Sequence, residues 1–303
     1  MKSITIFTPT YNRANCLHKL YNSLCQQSCN DFHWLIVDDG SSDNTDEIVN
    51  TWITEGKISI EYHYQENKGK LAAQILACDF INTELFLCID SDDFIPDDAI
   101  SKIKNFWAKN GDPNASGIIG LDAYTDGQVS GTMLPEIKEC TYSELIDKYK
   151  VRGDKKYIFN TRVFKSYLPY PYFPDEKFHE ISAIFFLIDQ KHKFLLSNEV
   201  YCIIEYLDGG LTNGIFHRYK NSPKSFSSYR SLKMKYAVNY KSKFKNAIHY
   251  VSSSIFARNK NYLSESPKKI TTILATPFGI LLYLYINRKT RNQKTRIKNG
   301  KLK

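Results

Sequence analysis

Between residues 4 and 123 the chain alternates short apolar, β-branched runs with longer segments of helical period, and three of the runs stop abruptly in a polar cluster. Residues 4–8 form the first run and are broken by Pro9-Thr10-Tyr11-Asn12; Leu17, Leu20, Tyr21 and Leu24 then recur at helical spacing. Residues 33–37 predict a second strand running into Asp38-Asp39-Gly40-Ser41-Ser42, after which Asp43 can cap a helix reaching about residue 53. Residues 58–64 predict a third strand, 70–81 a third helix, 85–89 a fourth strand, 97–108 a further helix and 117–123 another strand. Strand–helix alternation at this spacing predicts an α/β fold with a doubly wound, Rossmann-like and mostly parallel sheet flanked by helices. Ligands of such sheets bind beyond the carboxyl ends of the strands. The clusters Pro9-Thr10-Tyr11, Asp38-Asp39-Gly40 and Asp90-Ser91-Asp92-Asp93 all fall there.

The pattern loosens from about residue 140. Residues 141–149 predict a helix and 157–160 a short strand. Pro169, Pro171 and Pro174 lie in an aromatic-rich extended stretch ahead of a helix expected around 176–189. A strand is expected over 201–206, a turn at Asp208-Gly209-Gly210, and helices through the Lys-, Tyr- and Ser-rich residues 216–269.

The net charge of +9 conceals a segregation. Residues 1–215 hold 20 Lys and Arg against 31 Asp and Glu, whereas residues 216–303 hold 21 basic residues against the single acid Glu265. The expected organisation is an acidic domain over 1–215 and a basic, mainly helical extension over 216–303. Basic extensions meet nucleic acid or an anionic membrane surface. The seven cysteines are odd in number and include no CxxC pair, so they read as reduced core thiols of a cytoplasmic protein. The apolar patch at the N-terminus is too short for a signal-peptide core and reads as the first strand.

In Phe86-Leu87-Cys88-Ile89-Asp90-Ser91-Asp92-Asp93-Phe94 a buried-strand pattern ends in three aspartates within four positions. Like charge at that density is costly unless something positive neutralises it. Carboxylates one residue apart at a strand end can hold Mg2+ or Mn2+, which keep several waters and need only one or two protein carboxylates. A metal there would neutralise a diphosphate leaving group as a Lewis acid. A turn with a helix cap has the same appearance; the strand pattern before the aspartates and the second acidic cluster favour the metal. One carboxylate of Asp38-Asp39-Gly40 could accept hydrogen bonds from a nucleobase or a ribose hydroxyl. Neither a P-loop nor a GxGxxG occurs, which excludes the usual phosphate-cradling loops.

Four ordered motifs, TIFTPTYNR, LIVDDGSSDNT, ENKGKLAA and LFLCIDSDDF, resemble a family 2 glycosyltransferase of the GT-A fold. The later segments GDKKYIFNTRVFKSY, FPDEKFHE and EYLDGGLT resemble bacterial members that build capsules, teichoic-type polymers or lipopolysaccharide, so the resemblance covers roughly residues 3–213. It implies transfer of a hexosyl or N-acetylhexosaminyl group from a nucleotide diphosphate donor, UDP in the first instance, with inversion and with Mn2+ or Mg2+. By position it implies a nucleobase pocket lined by Thr8, Pro9, Tyr11 and Asp39, with Asp38 supporting the loop. Arg13 would approach the phosphates or hold its loop, and Lys68 and Lys70 would close over base and ribose. Asp90 would address the ribose and Asp92 the metal, with Asp93 as the alternative ligand. Gln74 departs from the Arg or Asn common at its position.

An inverting displacement needs a base within reach of the acceptor hydroxyl. The resemblance implies an acidic motif at a helix start, where Asp175, Glu176 and Glu180 are the candidates and Glu180 matches best. His179 stands where the family commonly has Glu, as a partner of the base or as a structural residue. Asp154, in Gly153-Asp154-Lys155, would bind an acceptor sugar hydroxyl or simply turn the chain. The acceptor would be a glycan or lipid-linked saccharide. Competing readings are a nucleotidyltransferase of related fold, which lacks its Gly-rich loop here, and a nucleic-acid-binding protein using the basic region.

Residues 270–286 carry no charge, and eight Lys and Arg follow within the last 17 residues. The run is at the short limit for a membrane span, and Pro277 and Gly279 are expected to break it. Spanning would also leave the basic tail on the outer side, against the positive-inside rule. The expectation is a bent, interfacial anchor of residues 270–303 on the anionic inner face of the cell membrane, with burial in an oligomer interface as the alternative.

Overall fold

The structure, a computed structural model, describes residues 3–205 and 215–298, with side chains through 291. The chain divides into two compact units: Met1–Tyr170 with Ile188–Tyr206, and Pro171–Leu187 with Leu207–Lys303. Residues 171–187, on the N-terminal side of the boundary expected at 215, thus cluster with the second unit.

The first unit contains β1 (Ile4–Thr10), α1 (Ala14–Cys25), β2 (Phe32–Asp38), α2 (Thr45–Glu55), β3 (Ile60–Tyr64), α3 (Lys70–Phe80) and β4 (Leu85–Cys88). There follow α4 (Ala99–Asn110), β5 (Gly117–Tyr124), β6 (Glu139–Cys140), α5 (Tyr142–Asp147), β7 (Lys155–Asn160), α6 (Thr161–Lys165) and β8 (Phe194–Ile204). Among the described residues the strands form one sheet in the order β3-β2-β1-β4-β7-β5-β8-β6. The β1–β2, β1–β4, β2–β3 and β5–β8 pairs are parallel, whereas β7 runs antiparallel between β4 and β5. The predicted alternation is therefore present, and the carboxyl ends of β1, β2 and β4 lie side by side. β8 is longer than expected: it begins at Phe194, because its first residues pair with β5 and β6.

Strand interiors are apolar on both faces, as helices covering a parallel sheet require. Trp34 of β2, Tyr21 of α1 and Trp52 of α2 stack on one another, with ring centroids 4.3 Å apart for Tyr21–Trp52 and 5.9 Å for Trp34–Trp52. This stack fixes two helices to one side of the sheet. Truncating a buried aromatic of this kind typically costs ~3–5 kcal/mol. All seven cysteines are free.

The second unit contains α7 (Ala183–Ile188), α8 (Ile215–Asn221), α9 (Pro223–Tyr236), α10 (Tyr240–Phe256), α11 (Tyr262–Glu265) and α12 (Lys269–Lys298). Two expectations are corrected here. The helix expected over 176–189 is only α7, because the preceding chain is held in turns: the Glu176 N–H donates to the Phe173 carbonyl and the Phe173 N–H to His179 Nε2. The break expected at Pro277 and Gly279 does not occur, since α12 runs through both. Gly279 serves close packing instead: a Cβ there would lie 2.5 Å from Val251 Cβ on α10. The turn expected at Asp208-Gly209-Gly210 lies outside the described residues.

Gly120, in β5, is similarly closed by a neighbour, because an added Cβ would sit 2.1 Å from Cδ2 of the fully buried Tyr201. Gly120→Ala is therefore expected to lower stability by ~1–3 kcal/mol through overpacking. In urea unfolding this would appear as a lower midpoint at unchanged slope.

Candidate functional site

The site of the first unit is assembled from loops at the carboxyl ends of β1, β2 and β4. Asn12, at φ 51°, joins the first two loops. Its side-chain oxygen accepts from the Ser42 N–H at 2.7 Å, and its own N–H donates to Ser41 Oγ at 2.8 Å. Asp43 accepts from Ala14 N–H (3.1 Å) and from Thr45 Oγ1 (2.6 Å), tying the starts of α1 and α2 together. Asp38 is buried; it accepts from Ser41 N–H at 2.7 Å and from the Tyr62 hydroxyl at 2.7 Å. Burial and this carboxylate push the Tyr62 phenol well above its ordinary range.

Asp39 organises residues 65–69. Its carboxylate accepts from Gln65 Nε2 (2.6 Å), Lys68 N–H (2.8 Å) and Gly69 N–H (2.8 Å). Gly40, at φ +86°, lets that segment approach, since a Cβ would lie 2.7 Å from Asn67 N. Lys68 is exposed on this loop, Pro9 is half-buried and Tyr11 is 49% exposed. Arg13 is half-buried, and its carbonyl begins α1 by accepting from Leu17 N–H at 3.2 Å. Thr8 stands apart from these: its hydroxyl is buried and accepts from Trp34 Nε1 at 3.0 Å. Thr8 therefore contributes to the core rather than presenting its side chain at the strand mouth.

The acidic turn follows β4. Ile89 N–H donates to Phe7 O of β1, Asp93 N–H closes the turn onto Asp90 O, and Phe94 exchanges hydrogen bonds with Ile203 of β8. The turn is thus held by backbone on both sides. Lys70, the first residue of α3, donates to Asp90 Oδ1 at 2.5 Å. Burial pushes the Asp90 carboxyl up, but Lys70 and then Lys156 hold it below its ordinary value. Lys156 is buried in β7, with Nζ 3.5 Å from Cys88 O and 3.9 Å from Asp122 Oδ1. Against the cost of its burial, Asp122, Asp93 and Asp90 keep this ammonium protonated. Asp93 is buried, and its carboxyl is pushed up to about 7 by burial and by Asp90, Asp92 and Asp122, against the pull of Lys156.

Asp90, Asp93 and Asp122 surround the two ammonium groups of Lys70 and Lys156, and burial pushes Asp93 and Asp122 toward the protonated form, so ionising them beside Asp92 calls for a further cation. Asp92 is half-exposed at the mouth, unlike buried Asp93. This donor set fits a hydrated divalent ion that takes one or two carboxylates and completes its shell with phosphate and water. Among the described residues no group of three or more His, Cys, Asp or Glu side chains is arranged to enclose a metal by itself.

Asp154 is exposed immediately before β7, its N–H donating to Ser130 Oγ at 3.0 Å. The acids expected to supply a base lie in the second unit. Asp175 pairs with Lys224 Nζ at 2.6 Å. Buried Glu176 accepts from the Lys224 and Ser225 N–H groups at 2.7 and 2.8 Å, capping the first turn of α9. Glu180 is half-buried three residues before α7, and among the described residues its carboxylate has a 3.5 Å contact from Ser182 Oγ. His179 accepts at Nε2 from the Phe173 N–H and stacks on Tyr172, while burial lowers its pKa. These bonds engage Glu176 and His179 in holding the local fold.

Lys156, Asp122, Asn12 and Tyr62 are the participants that motif reading missed. A signal existed for Lys156: it continues an apolar strand, where a lysine needs a buried partner. The strand expected over 157–160 begins two residues earlier, at Lys155, and so includes Lys156.

A sequence model of the family described as Glycosyl transferase family 2 matches residues 5–162. An uncharacterised glycosyltransferase of Haemophilus influenzae is 32% identical over 110 residues, covering 36% of this chain and 44% of that protein. Glycosyltransferase GlyA of Streptococcus pneumoniae is 32% identical over 100 residues, covering 33% of this chain and 14% of its own length. The chain thus spans less than half the length of these relatives. Among solved structures, S. aureus TarS 1-349 in complex with UDP-GlcNAc aligns with a TM-score of 0.62 at 18% identity, over 91% of this chain and 79% of that one. The mannosyltransferase PcManGT from Pyrobaculum calidifontis, in complex with GDP-Man and Mn2+, aligns with a TM-score of 0.54 at 15% identity, over 97% and 84%. These likenesses establish the GT-A fold.

Asp93 has a consequence for stability. An unfolded aspartate titrates near ~3.9, so the folded state binds the extra proton from there up to about 7. Stability contributed by this group is therefore present at low pH and lost as pH rises through that window. Asp93→Asn should remove the slope: in chelator-containing buffer it should match the parent near pH ~4 and exceed it near pH ~8 by on the order of 1–3 kcal/mol. Urea unfolding at the two pH values checks this.

Proposed function

The chain belongs to glycosyl transferase family 2, and from that premise we propose that it moves a hexosyl or N-acetylhexosaminyl group from a UDP-sugar to a hydroxyl of a glycan or lipid-linked saccharide, with inversion, in bacterial surface-polysaccharide synthesis. The observation that carries the reading is the turn Asp90–Asp93 at the carboxyl end of a central strand, where the carboxyl groups outnumber the two ammonium groups of Lys70 and Lys156. UDP as the nucleotide is supported by the UDP-GlcNAc bound in TarS, and a role in cell-surface polymer synthesis by similarity over 33% of this chain to a teichoic acid poly(glycerol phosphate) polymerase of Staphylococcus epidermidis.

In this mechanism Asp39, Tyr11, Pro9 and the 65–69 loop receive base and ribose, and Asp38 and Asn12 hold those loops in register. Asp90 accepts from a ribose hydroxyl while Lys70 keeps it ionised. Asp92, with Asp93 as the alternative, would hold Mn2+ or Mg2+, which when bound offsets charge on the departing diphosphate. Glu180 removes the proton from the acceptor hydroxyl as its oxygen attacks the anomeric carbon and the bond to the diphosphate oxygen breaks. Glu180 is preferred because Asp175 is paired with Lys224 and Glu176 is engaged by α9. Asp154 contacts the acceptor sugar. The enzyme works from the cytosolic face of the membrane, a reading supported by its segregated charge.

Glu180→Gln is expected to leave UDP-sugar binding within about twofold by calorimetry while lowering transfer by ~10²–10⁴. Retained transfer would move the base to Asp175 or Glu176. Asp92→Ala should weaken Mn2+ binding, followed by Mn2+ EPR, and lower turnover by ~10³ or more. Unchanged metal binding in that variant would move the ligand to Asp93.

A further inference from the structure

α12 presents two unlike faces. Thr272, Ala275, Gly279, Ile286 and Thr290, spaced by three, four or seven residues, are buried. Around Gly279 the helix meets Val251 of α10, and Tyr283 packs on Phe256 with ring centroids 4.5 Å apart. The opposite face carries Ile270, Ile273, Leu274, Ile280, Leu281 and Leu284, each between 42% and 77% exposed. At 100° per residue these six fall on one side over about 22 Å of helix. Phe278 and Tyr285 border the strip, and Phe244 links Phe278 to Tyr240 on α10, extending the aromatic surface.

The surroundings of this strip are cationic. Lys268 and Lys269 are exposed at its start, and Arg288, Lys289 and Arg291 at its end. Residues 266–303 contain no acid at all. An apolar strip with cations at both ends matches the two parts of an anionic lipid surface, acyl chains below and charged headgroups above. A second copy of the same face would bring like charges together.

We propose that α12 lies in the plane of an anionic lipid leaflet, with its Ile270–Leu284 strip immersed and its Thr272–Thr290 face still packed on α10. Residues Lys269–Arg291 have the length and composition to cross a membrane. Crossing, however, would carry one basic end to each side and strip α10 from the inner face. The in-plane arrangement keeps both cationic ends at one surface. This docking surface goes beyond the transfer reaction, and its test reads binding rather than turnover.

The full chain is tested by flotation with phosphatidylcholine vesicles, with and without phosphatidylglycerol. The protein should float with the anionic vesicles, and high salt should reduce binding. Leu274→Glu and Leu281→Glu, both at exposed positions, should each weaken binding on the order of tenfold with unchanged circular dichroism and unchanged UDP-sugar affinity. Equal flotation of the variants, or no flotation of the parent, overturns the proposal. So does a lipid-free dimer by sedimentation that both variants convert to monomer, which assigns the strip to a second copy. Orientation is read from Ile270→Trp and Leu281→Trp with lipids brominated at shallow or deep acyl positions. Equal shallow quenching at both positions supports the in-plane helix, whereas quenching that deepens from one position to the other overturns it in favour of a span.

Discussion

The site of the first unit depends on how three carboxyl groups at the end of a buried strand, Asp90, Asp92 and Asp93, are kept beside a fourth, Asp122 of β5. Lys70 and Lys156 reach Asp90 and Asp122 from different elements, one from the start of α3 and one from inside β7. The Lys156–Asp122 pair is buried, and removing one partner of such a pair typically costs about 3–5 kcal/mol because the other charge is left without compensation, whereas Lys70 and Asp90 are partly exposed. The pairing also determines what remains: a turn with backbone fixed by Phe7 and Ile203, and a buried Asp93 whose carboxyl is pushed up to about 7.

The neighbouring loops use the same chemistry for a different end. Asp38, Asp39 and Asp43 act mainly as struts, each accepting two or three hydrogen bonds from backbone N–H groups or nearby hydroxyl and amide groups. A carboxylate satisfied in this way holds a loop rigidly, which lowers the ordering cost when a ligand binds there. Within one site, acids that hold the frame are thus separable from acids that remain available, and Asp92 belongs to the second kind.

The second unit follows another constraint. Its helices bury small and hydroxylated residues between them: Ser252, Ser253, Ser254, Thr272, Ala275 and Gly279 are all buried. Small residues bring α10 and α12 close together, and close approach leaves the bulky side chains of α12 on the outside. The exposed apolar strip and the tight internal packing are two results of one residue pattern.

The α/β alternation, the strand ends and the acidic turn were legible in the sequence because each rests on local periodicity or on a contiguous motif. Asp92 and Asp39 could be singled out for the same reason. The role of Thr8 could not be read this way, since its hydroxyl meets Trp34 across 26 positions of sequence. The contacts of Glu176 with Lys224 and Ser225, 48 and 49 positions away, which let it cap α9, could not be read from the sequence either. Pro277 and Gly279 suggested a break because helix propensity is a local quantity, whereas the packing on Val251 that uses Gly279 is not. The sequence by itself determined the fold class, the charge segregation and the acids available for chemistry. Tertiary structure decided which of those acids are free, because a charge buried beside a distant lysine or a helix N-terminus acquires its partner only when the chain folds.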